Sequence, residues 1–125
     1  MTDEHRVEKK VLVVEDEQTV REYVLFCLQK NGYAAHVTES AEEAADYFYS
    51  ATQEILLVMA DINLPGKSGL KLLEEIRWYA PDMPFIIMSA DASLEKDMDY
   101  TDCMFLKKPC SCAVIKAAVH KMAGR

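Results

Sequence analysis

No stretch of this 125-residue sequence is apolar for long enough to cross a bilayer, and its polar opening, MTDEHRVEKK, is not a secretory leader. Internal repeats, low-complexity tracts and an internal linker are also missing. Basic residues are in the minority: 14 Lys and Arg face 21 Asp and Glu, for a net charge of −7. A nucleic-acid binder carries a basic face, so this balance argues against direct DNA or RNA contact. The four cysteines, Cys27, Cys103, Cys110 and Cys112, form no C-x-x-C, and His5, His36 and His120 are scattered. That excludes a zinc site of ordinary spacing and leaves reduced thiols in a cytoplasmic protein as the expectation.

What is present is a globular composition, half apolar and about a quarter charged. The length suits one domain that buries its core without staples. Residues 1–9 are expected to be a polar tail and residues 10–125 the domain.

Along the domain, strand-like and helix-like patterns alternate. KVLVVE, from Lys10, is a short Val-rich run of the kind buried on both faces of a sheet. In the segment that follows, Val20, Tyr23, Val24, Cys27 and Leu28 fall at helical spacing, and Asn31-Gly32 is a stop. YAAHVT is a weaker second strand, and Ser40 with Glu43 forms a capping-box signature for a second helix. EILLVMA is the most apolar strand. A third helix has Leu70, Leu73, Ile76 and Arg77 in register and is closed by Pro81 and Pro84. PFIIMSA and CMFL read as fourth and fifth strands, and a last helix has Val114, Ile115, Ala118, Val119 and Met122 on one side. The alternation predicts an α/β, doubly wound parallel sheet whose functional crevice lies at the carboxyl ends of the strands.

Those ends carry the polar chemistry. Strand one runs into Glu15 and Asp16, strand three into Asp61, strand four into Ser89, and strand five into Lys107-Lys108-Pro109. An acid or a serine after a strand is often only a helix cap; acids, hydroxyl and lysine at four strand ends of one sheet are more specific. Crowded carboxylates with no His or Cys among them select a hard cation such as Mg2+. An Asp carboxylate can also attack phosphorus, and a nearby ammonium can neutralise phosphoryl charge.

VLVVEDE, MADINLPGKSG, IIMSA and FLKKP, in this order and across nearly the whole chain, resemble the motifs of the response-regulator receiver domain. The resemblance implies a flavodoxin-like (βα)5 domain with strand order 2-1-3-4-5. It implies a two-component phosphorelay module, not an enzyme with a turnover substrate, that assists its own phosphotransfer and dephosphorylation. Asp61 would be the phosphoacceptor. Mg2+ would be held by Asp16, Glu15, Asp61 and the backbone carbonyl of Asn63. Lys108, the lysine directly before Pro109, would hold the phosphoryl group, with Lys107 a surface neighbour. Ser89 would be the switch hydroxyl and Phe105 the switch aromatic. The implied partners are a sensor histidine kinase or a histidine phosphotransfer protein, with the output partner open.

Two features depart from the family pattern. Strand one ends Glu-Asp where Asp-Asp is frequent, which keeps the charge. The stretch from Ser89 to Lys108 is shorter than usual, has no helical apolar stripe, and lacks the Gly-Ala turn before strand five; a short, distorted fourth helix is expected. Two alternatives stay open: a phosphate-independent receiver-like interaction module, and an Asp-nucleophile phosphatase of the haloacid-dehalogenase type. The latter needs a second acid two residues after Asp61, where this chain has Asn63.

Overall fold

The computed structural model describes residues 8–97 and 100–124, so residues 1–7 of the expected tail lie outside the described residues. Strands β1 (Lys10–Val14), β2 (Ala34–Thr38), β3 (Ile55–Asp61), β4 (Phe85–Ser89) and β5 (Cys103–Lys107) pair in parallel in the order β2-β1-β3-β4-β5. Helices α1 (Gln18–Lys30), α2 (Ala41–Ser50), α3 (Gly69–Tyr79) and α4 (Cys112–Met122) cover both faces. This is the doubly wound topology the alternation predicts. None of the described helices is long and apolar enough to cross a membrane.

Side chains alternate between the two faces of the sheet, so each strand feeds two cores. Leu12, Val58 and Ile87 pack with Phe48 of α2 and with Leu72, Leu73 and Ile76 of α3. Val13, Met59 and Met88 pack on the other side with Val24 and Leu28 of α1 and Ile115 and Val119 of α4. Coverage on both sides explains why β4 is buried at every position and why these strands read as continuous apolar runs.

Several helix details differ from expectation. Ser40 Oγ accepts from the Glu43 N–H at 3.1 Å, but the Glu43 carboxylate accepts from Glu39 N–H rather than from Ser40, so half of the capping box forms. In α3, Leu72 is fully buried while Leu70 is only partly so, and Arg77 is a polar tie, its guanidinium donating to the carbonyls of Met83 (2.8 Å) and Asp102 (2.7 Å). In α4, Val114 faces solvent. In α1, Tyr23 is exposed along its ring, yet its hydroxyl accepts from the Cys112 N–H at 3.0 Å. Periodicity located these helices but could not say how wide a stripe each neighbour would cover.

The expectation of four reduced thiols does not hold. Cys27 of α1 and Cys112 of α4 are disulfide-bonded, with their Cα atoms 5.3 Å apart across 85 residues of sequence; Cys103 and Cys110 are free. Local spacing cannot reveal this pair, because the fold alone lays α4 beside α1.

Between β4 and β5 the expected short fourth element is a 3-10 segment, Ala92–Asp97. At the entry to β5, where the family pattern has a small-residue turn, Asp102 itself takes the left-handed conformation (φ 50°). Asp tolerates this region better than most residues. The Asp102 carbonyl is held by Phe85 N–H at 3.0 Å and by Arg77.

Candidate functional site

Each strand of the central trio and β5 delivers one group to the same edge. Glu15 directly follows β1 and is fully buried; its N–H donates to the Thr38 carbonyl at 3.1 Å, which extends the pairing of β1 with β2 by one residue. Asp16, next in line, turns out into solvent. Asp61 is the last residue of β3 and almost wholly buried. Lys108 follows β5, with its N–H donating to the Ser89 carbonyl at 2.8 Å and a cis bond to Pro109. Its ammonium reaches back over the sheet end to Asp61 Oδ2 at 2.7 Å and to Glu15 Oε1 at 2.9 Å.

The carboxylates of Glu15, Asp16 and Asp61 offer oxygens that all lie within 4.8 Å of one another. Backbone donors satisfy the second oxygens: Glu17 N–H points to Glu15 Oε2 (3.1 Å) and Asn63 N–H to Asp61 Oδ1 (2.9 Å). Burial pushes the Glu15 carboxyl above its ordinary value, although Lys108 and the Glu17 N–H oppose this. For Lys108, burial favours the neutral amine, but its hydrogen bonds and ion pairs with Asp61 and Glu15 outweigh that, and its pKa ends above the ordinary lysine value. Lys108 therefore pairs with two of the three carboxylates, Glu15 and Asp61. An all-oxygen donor set with excess negative charge fits a hard divalent cation such as Mg2+.

The structure brings Glu15, Asp16, Asp61 and Lys108 together, with Asn63 on the flanking loop. Ser89 ends β4 at the same edge, fully buried, and its Oγ accepts from Asp91 N–H at 3.1 Å. Phe105 sits lower on β5, level with Ile87, and packs into the core under α2 and α3. Lys107 is exposed and pairs in register with Ser89.

Two residues that sequence reasoning missed also shape the site. Arg21 of α1 donates from one nitrogen to the carbonyls of Glu15 (2.9 Å) and Asp16 (3.3 Å), pinning the acidic loop. No side-chain pattern announces a residue that works through backbone carbonyls. Gly69 opens α3 directly against β3: a Cβ there would lie 2.3 Å from the Asp61 carbonyl oxygen. A glycine just after the Ser68 cap, where most residues would serve the helix better, was the available signal.

A cleft of about 800 Å3 opens beside Asp61 and Lys108. Its walls come from α1 (Val20, Tyr23, Val24) and from the β5–α4 loop (Pro109, Cys110), so a second reactant can approach the acid from this side.

The model of the response regulator receiver domain matches residues 11–120. Among solved structures, response regulator protein TrrA from Thermotoga maritima, determined in complex with Mg2+ and BeF, is 33% identical, with 91% of this chain and 98% of that one covered and a TM-score of 0.83. A receiver domain protein from Clostridium thermocellum is 26% identical over 94% of this chain and 95% of its own, with a TM-score of 0.83. The receiver domain of the hybrid histidine kinase CckA is 27% identical over 91% and 98%, with a TM-score of 0.80.

Proposed function

This chain belongs to the response regulator receiver domain family, and we propose that it is a phosphorylation-activated signalling module of a two-component phosphorelay, with Asp61 as phosphoacceptor. The observation that carries the reading is the convergence of Asp61, Glu15 and Lys108 within hydrogen-bond distance at one strand edge, beside an open cleft.

In the step we propose, a carboxylate oxygen of Asp61 attacks the phosphorus of a phosphohistidine. The P–N bond breaks as the new P–O bond forms, and the imidazole leaves with the bonding electron pair and takes a proton. Lys108, now on Asp61 Oδ2, exchanges that partner for a phosphoryl oxygen and keeps its bond to Glu15. The buried Glu15 fixes the ammonium, and the Asn63 N–H orients the attacking carboxylate, so positioning and charge neutralisation do the work. Glu15, Asp16, Asp61 and the Asn63 carbonyl would hold Mg2+, which when bound supplies further neutralisation of phosphoryl charge. Ser89 can turn its O–H to a phosphoryl oxygen, and Phe105 would follow toward the space this vacates.

The donor would be a sensor histidine kinase or a histidine phosphotransfer protein, and the setting cytoplasmic. The bound Mg2+ and BeF in the Thermotoga maritima structure support the metal assignment by similarity. Asn63 stands where the phosphatase alternative needs a general acid.

Acetyl phosphate with Mg2+ should add one phosphoryl mass, labile to base and hydroxylamine, and Asp61→Asn should abolish it. An Asp61→Asn protein that labels as well as the wild type sinks the assignment.

A further inference from the structure

The bridge between Cys27 and Cys112 sits where it can act on the site. α1 supplies one wall of the cleft beside Asp61, and the loop from Lys108 to Ser111, which runs directly into Cys112, supplies the other. The bridge ties these two walls together, and the hydrogen bond from Cys112 N–H to Tyr23 Oη ties them a second time, one turn of α1 nearer the acids. Only three residues separate Cys112 from Lys108, whose ammonium holds Asp61 and Glu15. Cys27 is buried, whereas Cys112 is partly exposed, so Cys112 is the more accessible residue of the pair. Disulfides in reducing compartments tend to be transient and redox-sensing rather than structural.

We propose that the Cys27–Cys112 pair is a redox switch on phosphoryl acceptance, which rests on the reading of Asp61 as phosphoacceptor. Closed, the bridge holds the Lys108–Ser111 loop against α1 and keeps Lys108 in place. Open, the loop loses that anchor and Lys108 spends less time over Asp61. The opening step is thiol–disulfide exchange with a dithiol protein reductant. Its thiolate attacks Cys112 Sγ, the bond to Cys27 Sγ breaks, and Cys27 leaves as a thiolate and takes a proton. The reductant's second thiol then resolves the mixed disulfide, so Cys112 is released as a thiol and the reductant carries away the oxidised pair. A small disulfide oxidant of the glutathione-disulfide class reverses the two-electron change. Cys103, on β5, and Cys110, whose S–H donates to the Lys107 carbonyl at 3.2 Å, stand outside the bridge.

The test measures phosphorylation by acetyl phosphate and Mg2+ on the full chain, oxidised or reduced, with thiols counted by alkylation and mass spectrometry and folding followed by circular dichroism. Reduction should slow phosphorylation about fivefold while the fold persists, because a small displacement of a positioning group is enough to cost that much. Cys112→Ala should be slow in both conditions, and Cys103→Ser should respond like the wild type. The bridge should open within the range of reduced-to-oxidised glutathione ratios. Equal rates in both states overturn the switch, as does a bridge that stays closed at every ratio, or a reduced protein that unfolds, either of which marks a structural staple. No phosphorylation in either state overturns the phosphoacceptor reading and the switch with it; phosphorylation that ignores redox state removes the switch alone.

Discussion

Two connections leave the same edge of the sheet and are held in opposite ways. The loop after β3 is anchored at close intervals. Ile62 and Leu64 are buried, Ile62 N–H donates to the Met88 carbonyl at 2.9 Å, Gly69 N–H to the Ile62 carbonyl at 3.2 Å, and Gly69 lies against Asp61 itself. The connection from β4 to β5 is mostly exposed from Ala90 to Glu95 and again at Thr101 and Asp102, with Leu94 and Tyr100 as its partly buried anchors. From Asp91 to Leu94 its bonds are local, such as Ser93 N–H and O–H on the Asp91 carboxylate, and among the described residues its hydrogen bonds to remote segments come only at Tyr100 and Asp102. A reacting carboxylate gains from being fixed before the reactant arrives. A segment that reports a change of state gains from low local stability, because a modest differential affinity then shifts its population. Under the proposed function, the contrast would put reaction on the tight loop and response on the loose one.

The comparison breaks most severely if the tight side depends on something other than its one cation. Lys108→Ala leaves the buried Glu15 and Asp61 facing each other without a counter-charge, which should cost about 3 kcal/mol. Phosphorylation should fall steeply. The stability loss, read from denaturant midpoints, should be smaller at pH 5 than at pH 8, because Glu15 can then take a proton. Lys107→Ala is the matched control and should be nearly silent; reversed phenotypes would place the other lysine at the site.

Packing on the tight side is tested next. Gly69→Ala pushes a methyl group into the Asp61 carbonyl and should destabilise by roughly 1–3 kcal/mol, the usual cost of overpacking. It should also slow phosphorylation, since the backbone that must yield carries Asp61, the proposed acceptor. A variant with unchanged stability and rate would mean the loop after β3 adjusts freely.

The loose side is read by hydrogen exchange. Amides of Ala92–Asp97 and of Asp102 should exchange quickly in the metal-free protein and change most when Mg2+ and beryllofluoride are added. Clear changes around Asp61 with none in this segment would move the response to another face.

The smallest expected effect is on the pH dependence of the metal-free fold. Burial raises the Glu15 pKa above 4.5, so the native state binds more protons than the unfolded chain between 4.5 and the raised value. Stability should fall as pH climbs through that interval, and Glu15→Gln should flatten the slope. Lys108 acts at the other end: its contribution is complete below the unfolded value of 10.5 and is lost as pH rises through its raised folded value. A stability that rises across the acidic interval, with Glu15→Gln unchanged, would contradict the net cost assigned to the buried charge.

Much of this molecule was legible before any coordinates. Runs such as VLVV and ILLVMA identify strands covered on both sides, and the helical spacings between them identify the covers, because burial of a face is encoded by side chains two or three to four residues apart. Alternation of the two then leaves few topologies, and Glu15, Asp16, Asp61, Ser89 and Lys108 fall at strand ends by counting alone. Even the loss of a regular fourth helix shows in the missing apolar stripe between Ser89 and Lys108. Tertiary structure decided what depends on distance between segments remote in sequence. It put Cys112 against Cys27, brought the Lys108 ammonium across to β1 and β3, pressed Gly69 onto Asp61, and gave the turn before β5 to Asp102 under Arg77. Spacing along the chain records which face a residue must hide; which residue it then meets is settled only when the sheet closes and the helices dock.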